Sequence, residues 1–444
     1  MTTMREVPAL AAARKLKLPR TAERTLANGL TVIAARRPAV PLVELRLRVP
    51  FARTNVARGM VLAETMLSGT SELSNVELSS ELQRIGGGLT AAVDPDRLLV
   101  GGNSLSSGLG RLLELLGLVL SDATYPAGEV SAERERLADQ VRVAKTQPAY
   151  LAREALNHRM YGRHPYARQT AEPEQLAAVR PGALRTLHAE RVHPAGATLI
   201  LVGDVPPGKA LDAAEAALST WNGGGKSVEL PAVPPIEPGP LTLADRPGSV
   251  QSSLRMGLGA VGRTHPDHSA LQLANLVYGG YFSSRLVENI REAKGYTYSP
   301  RSSIEHSAAG SSVVVSADVA TEVTAPALVE TWYELGRLVS TPVGADELEQ
   351  ARQYGVGTLQ LSLATQSGLA GLMSSLSGSG LRLDWLTGHA ERMASASVEA
   401  VTEVAERYFA PANAATVVLG DASVIEPSLT RLFPVTRAES GHGE

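Results

Sequence analysis

The chain has 444 residues, with 42 Lys+Arg against 45 Asp+Glu, a net charge of -3 and no cysteine. That length exceeds what one hydrophobic core usually supports and predicts two domains of roughly 200 residues each. The near-neutral balance leaves no broad basic field for nucleic acid or anionic lipid, and the missing thiols exclude disulfides, thiolate nucleophiles and Cys-ligated zinc. Any metal must be held by His and carboxylates.

Residues 1–20 read as an N-terminal arm, because the apolar run Val7 to Ala13 is broken by Pro8 and is too short for a signal-peptide core. Nowhere do eighteen apolar residues run uninterrupted, so no membrane span is expected and a cytoplasmic location follows as an expectation. "TLANGLTVIAARR" places Asn28-Gly29, a type I′ hairpin signal, between alternating segments, and "PLVELRLRV" continues with period two.

Next come a peptide "VLAET" containing Glu64, then "IGGGLTAAVDPDRLLVGGNSL", which reads as strand, turn and returning strand. Small residues along Leu89, Thr90 and Ala91 would let another backbone approach, so an extended peptide could add there, although the pattern by itself is that of an ordinary hairpin. Helical patterns follow in "GLGRLLELLGLVLSDA" and "SAERERLADQVRVAKTQ". "HPAGATLILVGDV" closes the first half as a buried strand ending in Gly-Asp.

Asn222 to Leu241, with three glycines and then five prolines, reads as the linker between domains at 21–221 and 242–434, leaving 435–444 as a C-terminal tail. The second half repeats the order, from "SVQSSLRMGLGAV" through long helical patterns to "APANAATVVLGDA". Strands first and last with helices between, repeated once, predict an α+β chain of two homologous domains, each a mixed, mostly antiparallel sheet covered by helices.

In the second half, "SSRLVENIREAKGYTYSP" predicts a helix capped by Ser283 and Ser284 and stopped by Gly295, with "YTYS" opening a strand. "HPDH", with His265 and His268, lies in a turn with no third donor nearby, and His158 and His164 have the spacing of packing and capping groups.

The order Asn-Gly hairpin, "MLSGT", "ELQRIGGGLTAAVDPD", "ERERLADQVR", "YGRHPYAR", "VGDV" and "SSRLVENIREAKGYTYS" resembles the pitrilysin and insulinase superfamily of zinc peptidases, in its short processing-peptidase-like branch. The resemblance runs from about Thr21 to Asp421 and implies that the two domains form half of a clam-shell chamber. It also implies an inverted His-x-x-Glu-His motif on the helix before Gly-Thr. Here Val61 and Thr65 stand at the two histidines, Glu64 at the general base, and the third ligand falls on Arg142.

None of those replacements suits zinc, and without the metal a water stays about 9 pKa units less acidic, or some 12 kcal/mol. Glu64 is then either a relic carboxylate, paired or solvated, or the partner of an Arg142 guanidinium occupying the vacated volume. The resemblance further implies that Arg291 and Tyr298 hold substrate and stabilise a tetrahedral intermediate, and that Gly279 and Gly280 correspond to a substrate-binding glycine-rich loop, although two glycines could equally be a helix stop.

The expectation is a chain without its own metal, paired in a heterodimer with a homologous zinc-carrying peptidase subunit that cuts peptides. A catalytically inert structural or peptide-binding member of the family is the alternative.

Overall fold

The computed structural model describes residues 16–224 and 228–438; most of the expected N-terminal arm and the last six residues lie outside the described residues. The first sheet contains β1 (Thr21–Thr25), β2 (Thr31–Arg36), β3 (Leu42–Pro50), β4 (Gly88–Val93), β5 (Arg97–Leu105) and β6 (Thr198–Gly203), in the order β1-β2-β6-β3-β5-β4. β2 and β6 run parallel and the other pairs are antiparallel.

The second sheet contains β7 (Leu241–Asp245), β8 (Gln251–Ala260), β9 (Arg301–Ser307), β10 (Gly310–Ala320), β11 (Ala415–Gly420) and β12 (Val435–Arg437), in the order β12-β7-β11-β8-β10-β9. The two Gly-Asp strands, β6 and β11, occupy equivalent places: each lies between a parallel and an antiparallel neighbour. The duplication seen in the sequence is therefore a duplication of sheets.

Three boundaries differ from expectation. The first hairpin is closed over Leu26–Leu30, and Gly29 alone takes a positive φ of 90° while Asn28 does not, so the turn is not type I′. Residues 435–437 are no tail but the strand β12, paired in parallel with β7. "YTYS" lies before β9, which starts only at Arg301 after Pro300.

Each sheet buries one face against helices of its own half, giving two separate apolar cores. The opposite faces are covered by exchange. The Pro148–Tyr161 helix of the first half lies on β8 and β11, burying Leu156 and Met160 against Val314, Ala415 and Val417. Gly257 permits this approach, because a Cβ there would sit 2.2 Å from Met160 Sδ.

Reciprocally, the Gln366–Ser377 helix of the second half lies on β3 and β6, packing Leu369, Met373 and Leu376 against Ile200 and Val202. Polar ties reinforce the exchange. Gln366 Nε2 donates to the carbonyls of Arg37 and Val40 at 2.7 and 2.9 Å, and Arg153 pairs with both oxygens of Glu305. Asp96 accepts from Tyr166 Oη at 2.6 Å and from the Ala308 N–H at 2.8 Å, joining the β4–β5 turn to the β9–β10 turn.

A cluster of imidazoles sits between the second sheet and its helices. His265 remains in the turn, but His268 is buried beneath it, with His306 and His389 at ring-centre distances of 5.1 and 5.2 Å and Trp385 stacked on His389 at 4.5 Å. His389 is engaged through Nδ1 by Ser269 Oγ and through Nε2 by Gln272 Oε1, whereas neither nitrogen of His268 has a partner among the described residues. Among the described residues, no three His, Cys, Asp or Glu side chains form a metal-binding group.

Burial, and then the neighbouring imidazoles and the Arg263 and Arg392 guanidiniums, push His268 down to about 2; burial with Arg392 and Arg263 pushes His389 down to about 4. The rings are neutral in the fold. An unfolded chain takes up protons near the ordinary histidine value, about 6.5, so stability falls as pH drops from there toward 4.

Two outcomes follow from this packing. Leu156→Ala, which empties a fully buried site between the halves, lowers the stability measured by urea unfolding by about 2–5 kcal/mol. Between pH 6.5 and 4, His268→Leu flattens the pH dependence of the free energy of urea unfolding by on the order of 1 kcal/mol per pH unit.

Candidate functional site

Glu64 is carried by the Val56–Thr65 helix, whose N-cap Asn55 accepts from the Arg58 N–H at 3.0 Å. The helix turns Ala57, Val61, Leu62 and Thr65 into the first core, leaving Glu64 partly exposed beside the Ala127–Ala144 helix. Val61 is fully buried among apolar groups. The Thr65 hydroxyl donates back to the Val61 carbonyl at 2.6 Å, an internal use of its proton that many buried helical threonines make.

Glu64 does not meet Arg142. Its Oε2 accepts from Arg136 Nη2 at 2.7 Å, while Arg136 Nε donates to Glu133 Oε2 at 2.6 Å. Arg142 instead pairs with Asp139 on its own helix and points to solvent. Helical phase explains the correction: six residues advance about 9 Å and leave the two side chains about 120° apart around the helix. The Arg142 alternative therefore fails, and Glu64 is the paired carboxylate of the other reading, held by Arg136.

This arrangement does not fit a catalytic zinc. Val61 offers no donor, Thr65 offers a neutral hydroxyl, and the carboxylates of Glu64 and Glu133 are both engaged by a permanent cation. A divalent ion roughly 4 Å from that guanidinium would meet a repulsion of about 2 kcal/mol in water and about 8 kcal/mol in a partly shielded site. The Glu133 hydrogen bond leads the influences that hold Arg136 above the usual guanidinium range, so it stays charged.

The second-half candidates are brought together. Arg285–Val287 forms a short helical turn that continues as a π-helical stretch over Glu288–Ala293 and carries Arg291, and such stretches are frequent at functional sites. Ser284 stands at the N-cap, but neither serine side chain makes the expected capping bond. The segment is fixed by a bidentate pair between buried Arg285 and Glu347, at 2.6 and 2.8 Å, and by Lys294 on Glu330. Gly295 adopts a φ of 64° and reverses the chain, and Thr297 Oγ1 anchors the following loop on the Asp318 carbonyl.

The loop delivers Tyr298 onto Arg291. The guanidinium carbon lies 4.6 Å from the centre of the Tyr298 ring and 4.7 Å from that of Phe282, a cation between two aromatic faces. Tyr298 is 81 % exposed and Phe282 59 %, so both rings present free surface beside the charge. Phe282 escaped the sequence reading; its only signal was an aromatic next to the Ser-Ser pair.

Gly279 and Gly280 do not form an open loop. They end a π-helical turn, Leu276–Gly280, where a Cβ would sit 3.0 Å from Ser302 Oγ and 2.8 Å from Asn275 Nδ2 respectively. Close packing accounts for both. Leu89, Thr90 and Ala91 lie on β4, which among the described residues pairs only with β5 and so forms an edge; Leu89 points inward and Thr90 is exposed. His164, as expected, serves packing: Nδ1 accepts from the Tyr166 N–H and Nε2 lies 3.0 Å from the Pro231 carbonyl of the linker.

Comparison with known proteins agrees with this two-sheet plan. Residues 61–174 match the insulinase (peptidase family M16) model, and residues 178–354 match the peptidase M16 inactive domain. An uncharacterised zinc protease of Mycobacterium bovis is 24 % identical over 379 residues, 82 % of each chain. YmxG of Bacillus subtilis, also an uncharacterised zinc protease, is 24 % identical over 76 % of this chain and 83 % of its own length.

Among solved structures, a peptidase M16 inactive domain from Pseudomonas fluorescens superposes with a TM-score of 0.83 at 21 % identity, covering 90 % of this chain and 98 % of that one. A protease from Helicobacter pylori gives 0.83 at 19 % identity, covering 90 % and 100 %. Duplicated sheets, matched family segments and shared fold together place this chain in the pitrilysin/insulinase superfamily, the M16 peptidases.

Proposed function

We propose that the chain is the metal-free member of a two-chain zinc peptidase. A homologous partner would supply the ion and general base, and this chain would supply Arg291, Tyr298 and part of the peptide-binding surface. The observation that carries the reading is the contrast between the halves: the first ties Glu64 to Arg136 amid residues unable to hold zinc, while the second keeps a half-buried cation, paired through Nε with Glu292 at 3.1 Å, between two exposed aromatic rings.

The chemistry suits that division. A guanidinium fixed by stacking, with a phenolic hydroxyl beside it, stabilises charge that develops on a carbonyl oxygen only during attack, and so favours the transition state over bound substrate. The free edge of β4, with Thr90 and Ala91 along it, gives an extended peptide backbone groups to pair with. Glu64 has no part in the chemistry.

In the reconstituted two-chain complex, Arg291→Ala lowers kcat about a hundred-fold and Tyr298→Phe roughly ten-fold, without weakening assembly, the sizes usual for loss of one oxyanion donor or less. Glu64→Gln leaves turnover unchanged. Steady-state peptide cleavage together with sedimentation of the complex measures both; unchanged turnover in Arg291→Ala and Tyr298→Phe would favour the inert, peptide-binding alternative.

A further inference from the structure

A cavity of about 550 Å³ opens between the start of the Val56–Thr65 helix, the β4–β5 turn and the loop after the Pro148–Tyr161 helix. Arg53, Arg163 and Arg168 line it, with His158 beside them. None of the three guanidiniums has a hydrogen-bond or ion-pair partner among the described residues. Asp94 is the one carboxylate among the lining residues, and Arg97 Nε already holds it at 2.9 Å. The cavity therefore carries uncompensated positive charge in a chain whose net charge is -3.

Its backbone is specialised as well. Arg53 has a φ of 57°, a left-handed conformation that costs a residue with a Cβ roughly 1–2 kcal/mol. That turn places Arg53 at the cavity mouth just before the N-cap Asn55. The positive end of the ten-residue helix, reaching the wall at Val56, adds to the field of the three side chains.

Position says what the charge would meet. Val93, the last residue of β4, and Asp94-Pro95 beyond it are part of the same wall. A strand added to the open edge of β4 would run off that end over Arg53, Arg163 and Arg168. The geometry points to this cavity as the binding place for acidic side chains of the peptide that lies on β4, making acidic extended peptides the preferred substrate class. Guanidiniums bind carboxylates through paired, charge-assisted hydrogen bonds, which give both attraction and register. The inference rests on the peptide-binding reading of β4 and deepens it.

Fluorescence anisotropy on the full chain tests it with short capped peptides of alternating valine and threonine. These carry a run of three glutamates or three glutamines, placed at the amino or the carboxyl end. We expect one glutamate peptide to bind about ten-fold tighter than its glutamine counterpart at low salt, with the advantage shrinking as salt rises. Arg163→Ser with Arg168→Ser abolishes that advantage without changing affinity for the glutamine peptide, and circular dichroism verifies the fold. Arg58→Ser, exposed but outside the cavity wall, retains the advantage.

Equal affinity for glutamate and glutamine peptides overturns the inference and leaves the β4 reading standing. Failure of every peptide to bind overturns both. Full displacement of the glutamate preference by inorganic phosphate as readily as by a tri-glutamate peptide identifies a site for free anions, which also overturns it.

Discussion

The Arg136 guanidinium, gripped on one side by Glu64 and on the other by Glu133, is the interaction on which the functional reading turns. Two carboxylates that converge from neighbouring helices need a counter-charge, and here it is covalently part of the chain. An exposed pair of this kind contributes only about 0–1 kcal/mol to stability. Its importance lies in chemistry rather than in folding. A fixed cation cannot polarise a carbonyl as a Lewis acid or lower the pKa of a bound water, and it occupies the carboxylate that would otherwise act as base. With Val61 buried in the core and the Thr65 proton turned back into its helix, nothing around Glu64 compensates.

Reciprocal exchange of helices keeps the first half in its place in the fold whether or not it carries chemistry. The Pro148–Tyr161 helix completes the second sheet and the Gln366–Ser377 helix completes the first, so each domain is a structural requirement of the other. Apolar replacement on the Val56–Thr65 helix adds to the first core instead of weakening it. The second half keeps a site supported by a buried bidentate pair, Arg285 with Glu347, and by a chain reversal at Gly295. Such support holds Arg291 between Phe282 and Tyr298, the placement that the proposed role on a transient charge requires.

What was readable in the sequence was local. Alternation marked β3, a Gly-Asp ending marked β6 and β11, and the repeat of that order revealed two related sheets. Features set by tertiary phase were not readable. Motif counting placed a guanidinium at Arg142, but which face of the Ala127–Ala144 helix meets Glu64 depends on how two helices pack, and that face carries Arg136. β12 spans three residues, too few for a period to appear. His268, His306 and His389 lie far apart in sequence and meet only because a helix start, an edge strand and a later helix converge. Gly279 and Gly280 looked like a loop because glycine signals freedom as readily as close contact; the neighbours of their missing Cβ atoms decide for contact.

The most direct measurement is the zinc content and peptidase activity of the isolated, purified chain after incubation with zinc and removal of the excess. The account predicts well under one ion per chain and no peptide cleavage. One tightly held zinc per chain, with cleavage that disappears on Glu64→Gln, would contradict it.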